Sequence, residues 1–234
     1  MSATSNVTTP RATERRAWVP GDRLAGRSAP AELPARAPHV GVLALQGDVF
    51  EHLAVLARCG AIGVRVRTAE ELATVDGLIL PGGESTTIGK LLARNGLDAL
   101  IRSRIDAGMP VFGTCAGMIL LADELDQTVD QPRIGGIAIR VRRNAFGRQR
   151  DSFDTSLSVR GIDGGPMDVS FIRAPRVEAV LADDVIPLAE VDDHPVVVVQ
   201  GERLACSFHP EVTGDDRLHA KFVAMVRGVL RAGD

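Results

Sequence analysis

The chain has 234 residues, 45% apolar and 24% charged, with a formal net charge of -3 at pH 7. That length and apolar content suit one sizeable α/β domain and exclude wholesale disorder, while the slight negative charge, with no basic stretch interleaved with aromatics, gives no support to nucleic-acid binding. No run approaches a membrane span of about 18 apolar residues, the N-terminus lacks the apolar core of a secretory signal, and the cysteines Cys59, Cys115 and Cys206 form neither a disulfide framework nor a CxxC pair. A soluble protein of the reducing cytoplasm is expected.

Residues 1–38 are rich in Ala, Arg, Ser, Thr and Pro, and Arg11, Arg15, Arg16, Arg23, Arg27 and Arg36 outnumber Glu14, Asp22 and Glu32. Such a segment buries too little apolar area to offset its ordering entropy and reads as a disordered extension. An organellar transit peptide is the sharper alternative, against which the three acids argue.

From His39 the pattern changes, and residues 39–234 read as one domain. Strands are predicted at 40–45, 63–66 and 77–80, a helix at 49–58, and helical material at 88–92 and 97–105 before the apolar run Met109 to Phe112. Shorter strands follow at 137–141, 169–172, 196–199 and 204–208, and a helix over 218–230 closes the chain. This βαβ alternation implies an α/β fold, a mostly parallel sheet with helices on both faces. Ligands of such sheets sit beyond the carboxyl ends of the strands, where Gln46-Gly47, Pro81-Gly82-Gly83 and Cys115 fall.

Gly113-Thr114-Cys115-Ala116-Gly117, between two apolar stretches, reads as a nucleophile elbow built on a cysteine. Small neighbours are needed there because a Cβ on either flank would clash as the backbone doubles back. The turn lifts the sulfur above the sheet edge and aims the N–H of Ala116 and the positive end of the next helix at one spot, which favours a thiolate and later an oxyanion. The same pentapeptide also suits a small buried cysteine in a Gly-rich turn.

A nucleophile needs a base. Of His39, His52, His194, His209 and His219, only His209 has a carboxylate placed to orient it, in Ser207-Phe208-His209-Pro210-Glu211. Proline disfavours helical geometry for the residue before it, so His209 is expected to be extended, with Glu211 projecting to the same side. That is the logic of a Cys-His-Glu triad. A strand-end histidine beside a solvated glutamate is the plainer alternative.

Three further patterns compete. Gly83 to Lys90 resembles a P-loop but has five residues between its glycines and Leu91 where Ser or Thr would hold magnesium. Pro81-Gly82-Gly83 reads better as a turn offering N–H groups to an oxyanion, or as a plain turn capped by Ser85 or Thr86. His209-x-Glu211 fits half of a zinc deaminase signature whose PCxxC partner is missing, so no metal is expected. Arg142, Arg143, Arg148, Arg150 and Arg173 are candidate anion holders.

In combination, Gly41 to Gly47 with Glu51-His52, Leu80 to Thr87, Phe112 to Gly117, Arg143-Asn144 with Phe146 to Gln149 and Asp151 to Phe153, Phe171 to Pro175, and Cys206 to Glu211 resemble the class I glutamine amidotransferases. The LPGGEST, FGRQxDSF and FIRAP segments resemble most closely the glutaminase subunits of pyridoxal 5'-phosphate synthase. The resemblance runs from about Val40 to the last helix. Asp154, where many relatives carry Glu, and the Gly135 to Arg140 strand depart from the pattern.

The resemblance implies a flavodoxin-like three-layer sandwich and a glutaminase that needs no cofactor of its own. Cys115 would be the nucleophile, His209 the base and Glu211 its orienter; Gly82, Gly83 and Ala116 would form the oxyanion hole; Gly83, Glu84, Ser85, Arg143, Ile172 and Arg173 would bind L-glutamine. It further implies that ammonia passes to a TIM-barrel pyridoxal 5'-phosphate synthase subunit in a large hetero-oligomer, with neither nucleic acid nor membrane as partner. The alternatives are an amidotransferase module with another acceptor and a catalytically silent flavodoxin-like interaction module.

Overall fold

The structure is a computed structural model that describes residues 37–126, 131–143 and 152–233. Its first half runs β1 (His39–Leu43), α1 (Val49–Arg58), β2 (Ile62–Val66), α2 (Ala69–Ala73), β3 (Gly77–Leu80), α3 (Ser85–Asn95), α4 (Leu97–Asp106), β4 (Val111–Thr114) and α5 (Ala116–Leu121). The second half runs β5 (Ala122–Leu125), β6 (Ile137–Arg142), β7 (Ser152–Leu157), β8 (Met167–Ile172), β9 (Arg176–Val180), β10 (Ile186–Val191), β11 (His194–Gln200), β12 (Arg203–Cys206), α6 (Pro210–Thr213) and α7 (Arg217–Gly233).

A seven-stranded sheet in the order β10-β11-β12-β4-β3-β1-β2 forms the centre. Its pairs from β12 to β2 are parallel, and β11 and β10 add an antiparallel edge. Parallel strands covered on both faces carry apolar residues on both sides. In β3, Leu78 and Leu80 join one core with α3, α4 and α5, while Ile79 joins the other with Leu56 of α1 and Phe222 and Val226 of α7. This is the expected three-layer sandwich. Two smaller sheets, β5-β6-β9 and the hairpin β7-β8, pack on the first and second core respectively.

Several elements escaped the sequence pattern. Helix α2 is only one turn and a half long, yet Thr68-x-x-Glu71 is a capping box in which each side chain accepts from the other residue's N–H, at 3.3 and 3.2 Å. The β7 strand SFDTSL alternates exposure but is too polar to register as an apolar run. Helix α6 is four residues long, and its one signal is Pro210 at its first position.

The elbow depends on close packing. Cys115 has φ 48° and ψ -101°, a conformation unusual for a residue with a side chain. Strand β4 and helix α5 meet at Gly113 and Gly117, where a Cβ on Gly113 would come 2.6 Å from the Gly117 carbonyl, and one on Gly117 would come 2.0 Å from the Leu80 carbonyl oxygen. Because backbone atoms on both sides are held in the sheet, Gly117→Ala is expected to cost about 3 kcal/mol or more. Urea denaturation would show a lowered midpoint with an unchanged slope.

Candidate active site

The ends of β1, β3, β4 and β12 converge on Cys115. Its N–H donates to the Cys206 carbonyl oxygen at 2.9 Å, joining the elbow to the last residue of β12. Three residues on, His209 has φ -107° and ψ 85°, its N–H donates to Ser170 O at 3.1 Å, and the buried Phe208 beside it packs edge-on against Phe171 of β8. Pro210 then opens α6, so Glu211 lies on a helical turn. The expected extended pair is not formed: His209 stays out of the helical region, as the following proline requires, but falls short of an extended backbone, and Glu211 is helical because a proline with no N–H to donate starts a helix at its first position.

The contact itself is as expected: His209 Nδ1 lies 2.7 Å from Glu211 Oε1, and Cys115 lines the same cavity as the ring. Cys115, His209 and Glu211 are all buried. Burial opposes a charge on His209, but contacts with Asp48, Cys115 and Glu211 outweigh it and its pKa is pushed up to about 12. Burial raises the Glu211 carboxyl, against the opposing pull of His209.

A cavity of about 410 Å³ opens over this pair, lined by Gly83, Glu84, Ser85, Arg143, Ile172 and Arg173 together with Cys115 and His209. All six residues expected to bind the substrate are thus brought to one place. Of the residues expected to form the oxyanion hole, Gly82 abuts the His209 ring, Gly83 lines the cavity and Ala116 opens α5 directly after Cys115. Arg143 Nη2 donates to Glu84 at 2.9 Å and Nη1 to Thr86 Oγ1 and Gln131 Oε1 at 2.9 and 3.0 Å. Arg173 holds a left-handed φ of 44° at the rim.

Other expectations need correction. Arg142 faces away from the cavity and pairs with Asp126 and Glu178, since neighbouring strand residues point to opposite sides. The N-cap of α3 is Glu84, whose carboxylate accepts from Thr86 and Thr87 N–H at 3.2 and 2.7 Å, in place of Ser85 or Thr86. Those N–H groups are therefore occupied by an internal anion, which removes the P-loop reading. Asn144, Phe146 to Gln149, Arg148, Arg150 and Asp151 lie outside the described residues, as does nearly all of 1–38.

Sequence reasoning assigned no role to three contributors, although it placed Gln46 at a strand end and both Gln46 and His52 in the motifs of the resemblance. Gln46 Oε1 accepts from Glu84 N–H at 2.8 Å and steadies the glycine turn. Asp48 Oδ2 lies 3.2 Å from His209 Nδ1. His52, wholly buried, stands with Nε2 3.7 Å from Glu211 Oε2 and 3.2 Å from Thr114 Oγ1, and its Nδ1 lies 2.8 Å from His219 Nε2. Residues 46, 48 and 52 flag nothing in isolation, because their partners are remote in sequence. Asp48, His209 and Glu211 also bring one ligand atom each within 4.8 Å of the others, a spacing a cation could bridge. Such an ion would have to displace the proton shared by His209 and Glu211.

The SNO glutamine amidotransferase family model matches residues 42–228. The chain belongs to that family. It is 57% identical over 193 residues to the "Pyridoxal 5'-phosphate synthase subunit PdxT" of Streptomyces griseus, covering 82% of this chain and 98% of the relative. It is 56% identical over 216 residues to the protein of the same name from Nocardia farcinica, covering 88% and 94%. A solved glutamine amidotransferase shares 48% identity with a TM-score of 0.76, covering 80% of this chain and 98% of that one. The Thermotoga maritima PurLQS structure, at 18% identity and a TM-score of 0.60, shares the fold.

Behind the Cys115 elbow, the histidine pair carries a pH signature. Burial drives both imidazoles toward the neutral form, His52 well below the ordinary value of 6.5 and His219 to about 4. Each would gain a proton on unfolding below pH 6.5, so the stability of the folded state is full above that pH and falls as pH drops toward 4. His219 alone accounts for about 3 kcal/mol of that loss. Denaturation midpoints measured from pH 7 to pH 4 should fall steeply, and His219→Leu should flatten the slope.

Proposed function

We propose that the chain hydrolyses L-glutamine to glutamate and ammonia at Cys115 and passes the ammonia to a TIM-barrel synthase subunit that makes pyridoxal 5'-phosphate from pentose and triose phosphates. The observation that carries this is Cys115, held in a strained turn at the head of α5, in contact with a histidine that Glu211 grips at 2.7 Å. The curated relatives, similar over nearly their whole length, bear the name of that synthase's subunit.

The Cys115 sulfur attacks the side-chain carboxamide carbon, and the oxyanion that forms is met by Ala116 N–H and an N–H of the Gly82-Gly83 turn, each typically worth about 3 to 4 kcal/mol. With Nδ1 committed to Glu211, His209 uses Nε2 to protonate the departing ammonia. The base then takes a proton from water, which cleaves the glutamyl thioester to glutamate and frees the thiol. Glutamine is a zwitterion, and the cavity offers both signs of charge: Arg143 and Arg173 for its carboxylate, Glu84 and neighbouring carbonyl groups for its ammonium. Ammonia is mostly protonated near neutral pH and then cannot act as a nucleophile, so a shielded route to an attached acceptor follows from the chemistry.

The surface around the site fits such a partner. Ile172 and Val212 line the cavity yet are 41% and 47% exposed, and Phe50, on the turn that Asp48 begins, is 70% exposed. A hydrophobic rim of this kind around a catalytic opening suits burial under a protein surface. Residues 39–234 form the glutaminase unit in this reading, with 1–38 an extension outside it; the family match begins at residue 42. Cytoplasmic residence fits the three free thiols. Among the described residues no helix is long and apolar enough to cross a membrane.

Mixing the chain with a candidate synthase, glutamine and the two sugar phosphates should yield pyridoxal 5'-phosphate at neutral pH. Cys115→Ala should abolish both glutamate release and cofactor formation, and His209→Asn should slow glutamate release by about 10²-fold or more. Glutamate release that survives Cys115→Ala in the complex would refute the nucleophile. Phe50→Asp should leave folding and Cys115 labelling by a glutamine-mimicking electrophile unchanged, while weakening synthase binding about tenfold or more in a sedimentation or calorimetric titration.

A further inference from the structure

Helix α1 carries a residue that this mechanism does not yet use. Asp48 occupies the N-cap, where an aspartate ordinarily accepts a hydrogen bond from an N–H of the first turn, but its side chain makes no such bond. Its Oδ2 reaches His209 Nδ1 instead, at 3.2 Å, beside the 2.7 Å contact from Glu211 to the same nitrogen. Gly82 leaves room for this approach: a Cβ there would stand 2.3 Å from His209 Cε1 and 3.1 Å from Asp48 Oδ2. The two carboxylates differ in setting. The Glu211 side chain is wholly buried, whereas that of Asp48 is 40% exposed and keeps its charge at little desolvation cost.

We propose that Asp48 is a positioning residue, a second carboxylate on His209 Nδ1 that keeps the imidazole protonated and turned toward Cys115. This rests on the triad reading above. Among the described residues, the other charged or titratable groups near His209 are Cys115 from the elbow, Glu211 from α6, His52 from α1 behind Glu211, and Glu84, Arg143 and Arg173 from the rest of the cavity. Only Asp48 and Glu211, among the described residues, bring a negative charge to Nδ1. An opposite charge at this distance favours the charged ring, so removing it must let His209 lose its proton at lower pH. The same interaction holds the Asp48 carboxyl below its ordinary value, with the His209 contact as the leading cause.

The test is an NMR titration of the His209 ring nitrogens in the full chain, comparing wild type with Asp48→Asn and Asp48→Glu. In Asp48→Asn the midpoint should fall by about one pH unit, and Asp48→Glu should recover part of that shift. The thermal midpoint should stay within about 2 °C of wild type, because no cap is lost. With the synthase bound, kcat for glutamate release should drop about three- to tenfold with KM within about twofold. An unchanged His209 midpoint, or a raised KM with kcat and the titration unaltered, would overturn the proposal and leave Asp48 a solvated or substrate-binding residue. The titration needs no substrate, so a failure of the glutaminase reading would appear separately, as wild-type complex that releases no glutamate.

Discussion

The backbone hydrogen bond from Cys115 N–H to the Cys206 carbonyl is the constraint on which the site depends. It closes the parallel pairing of β12 with β4, in which Cys206 stands opposite Thr114, and so places the elbow and the segment leading to His209 at the same edge of the sheet. The unfavourable backbone of Cys115 is tolerated because neighbours on both sides are fixed: Gly113 and Gly117 close against one another, and Gly117 against the end of β3. Cys115 and His209 are therefore both mounted just past the ends of paired strands, the kind of placement that a reaction sensitive to sub-ångström misplacement requires.

Beneath that edge lies a buried polar layer made of Glu211, His52, Thr114 and His219. Its members have different electrical roles. His52 and His219 are neutral because burial penalises their charge, and they contribute dipoles and hydrogen bonds; Glu211 and His209 carry opposite charges and stabilise one another across 2.7 Å. Glu211 Oε2 has no hydrogen-bond partner among the described residues, with His52 Nε2 nearby at 3.7 Å. Low polarisability around these groups strengthens every charge interaction within them. Asp48 differs in reaching the same imidazole from the solvent side, so the ring is held between a buried and a half-exposed carboxylate.

Helix α1 links this layer to the outer surface. Asp48 and His52 are four residues apart and share one face of its first turn, directed at His209 and at Glu211, while Phe50 between them is turned to solvent. A protein seated on Phe50 would thus lie one helical turn from the groups that contact His209 and Glu211. That proximity gives a physical route by which a bound acceptor subunit and the chemistry at Cys115 can influence each other.

Much of this was legible in the sequence because it is local. The glycine-flanked cysteine between apolar runs, the proline that keeps His209 out of a helix, and the alternation of short strands with helices each follow from steric and periodic rules acting within a few residues. The cavity residues were legible only through resemblance, since nothing in the spacing of Glu84, Arg143 and Arg173 says that they meet. Tertiary structure alone decided that Glu211 sits on a helical turn, that Glu84 caps α3, that Arg142 turns away while Arg143 turns in, and that Asp48 and His52 stand beside His209 and Glu211. The physical reason is that ion pairs, buried imidazoles and cavity walls depend on which strand ends lie side by side. Strand order is chosen by the burial of two whole apolar faces, which no short stretch of sequence encodes.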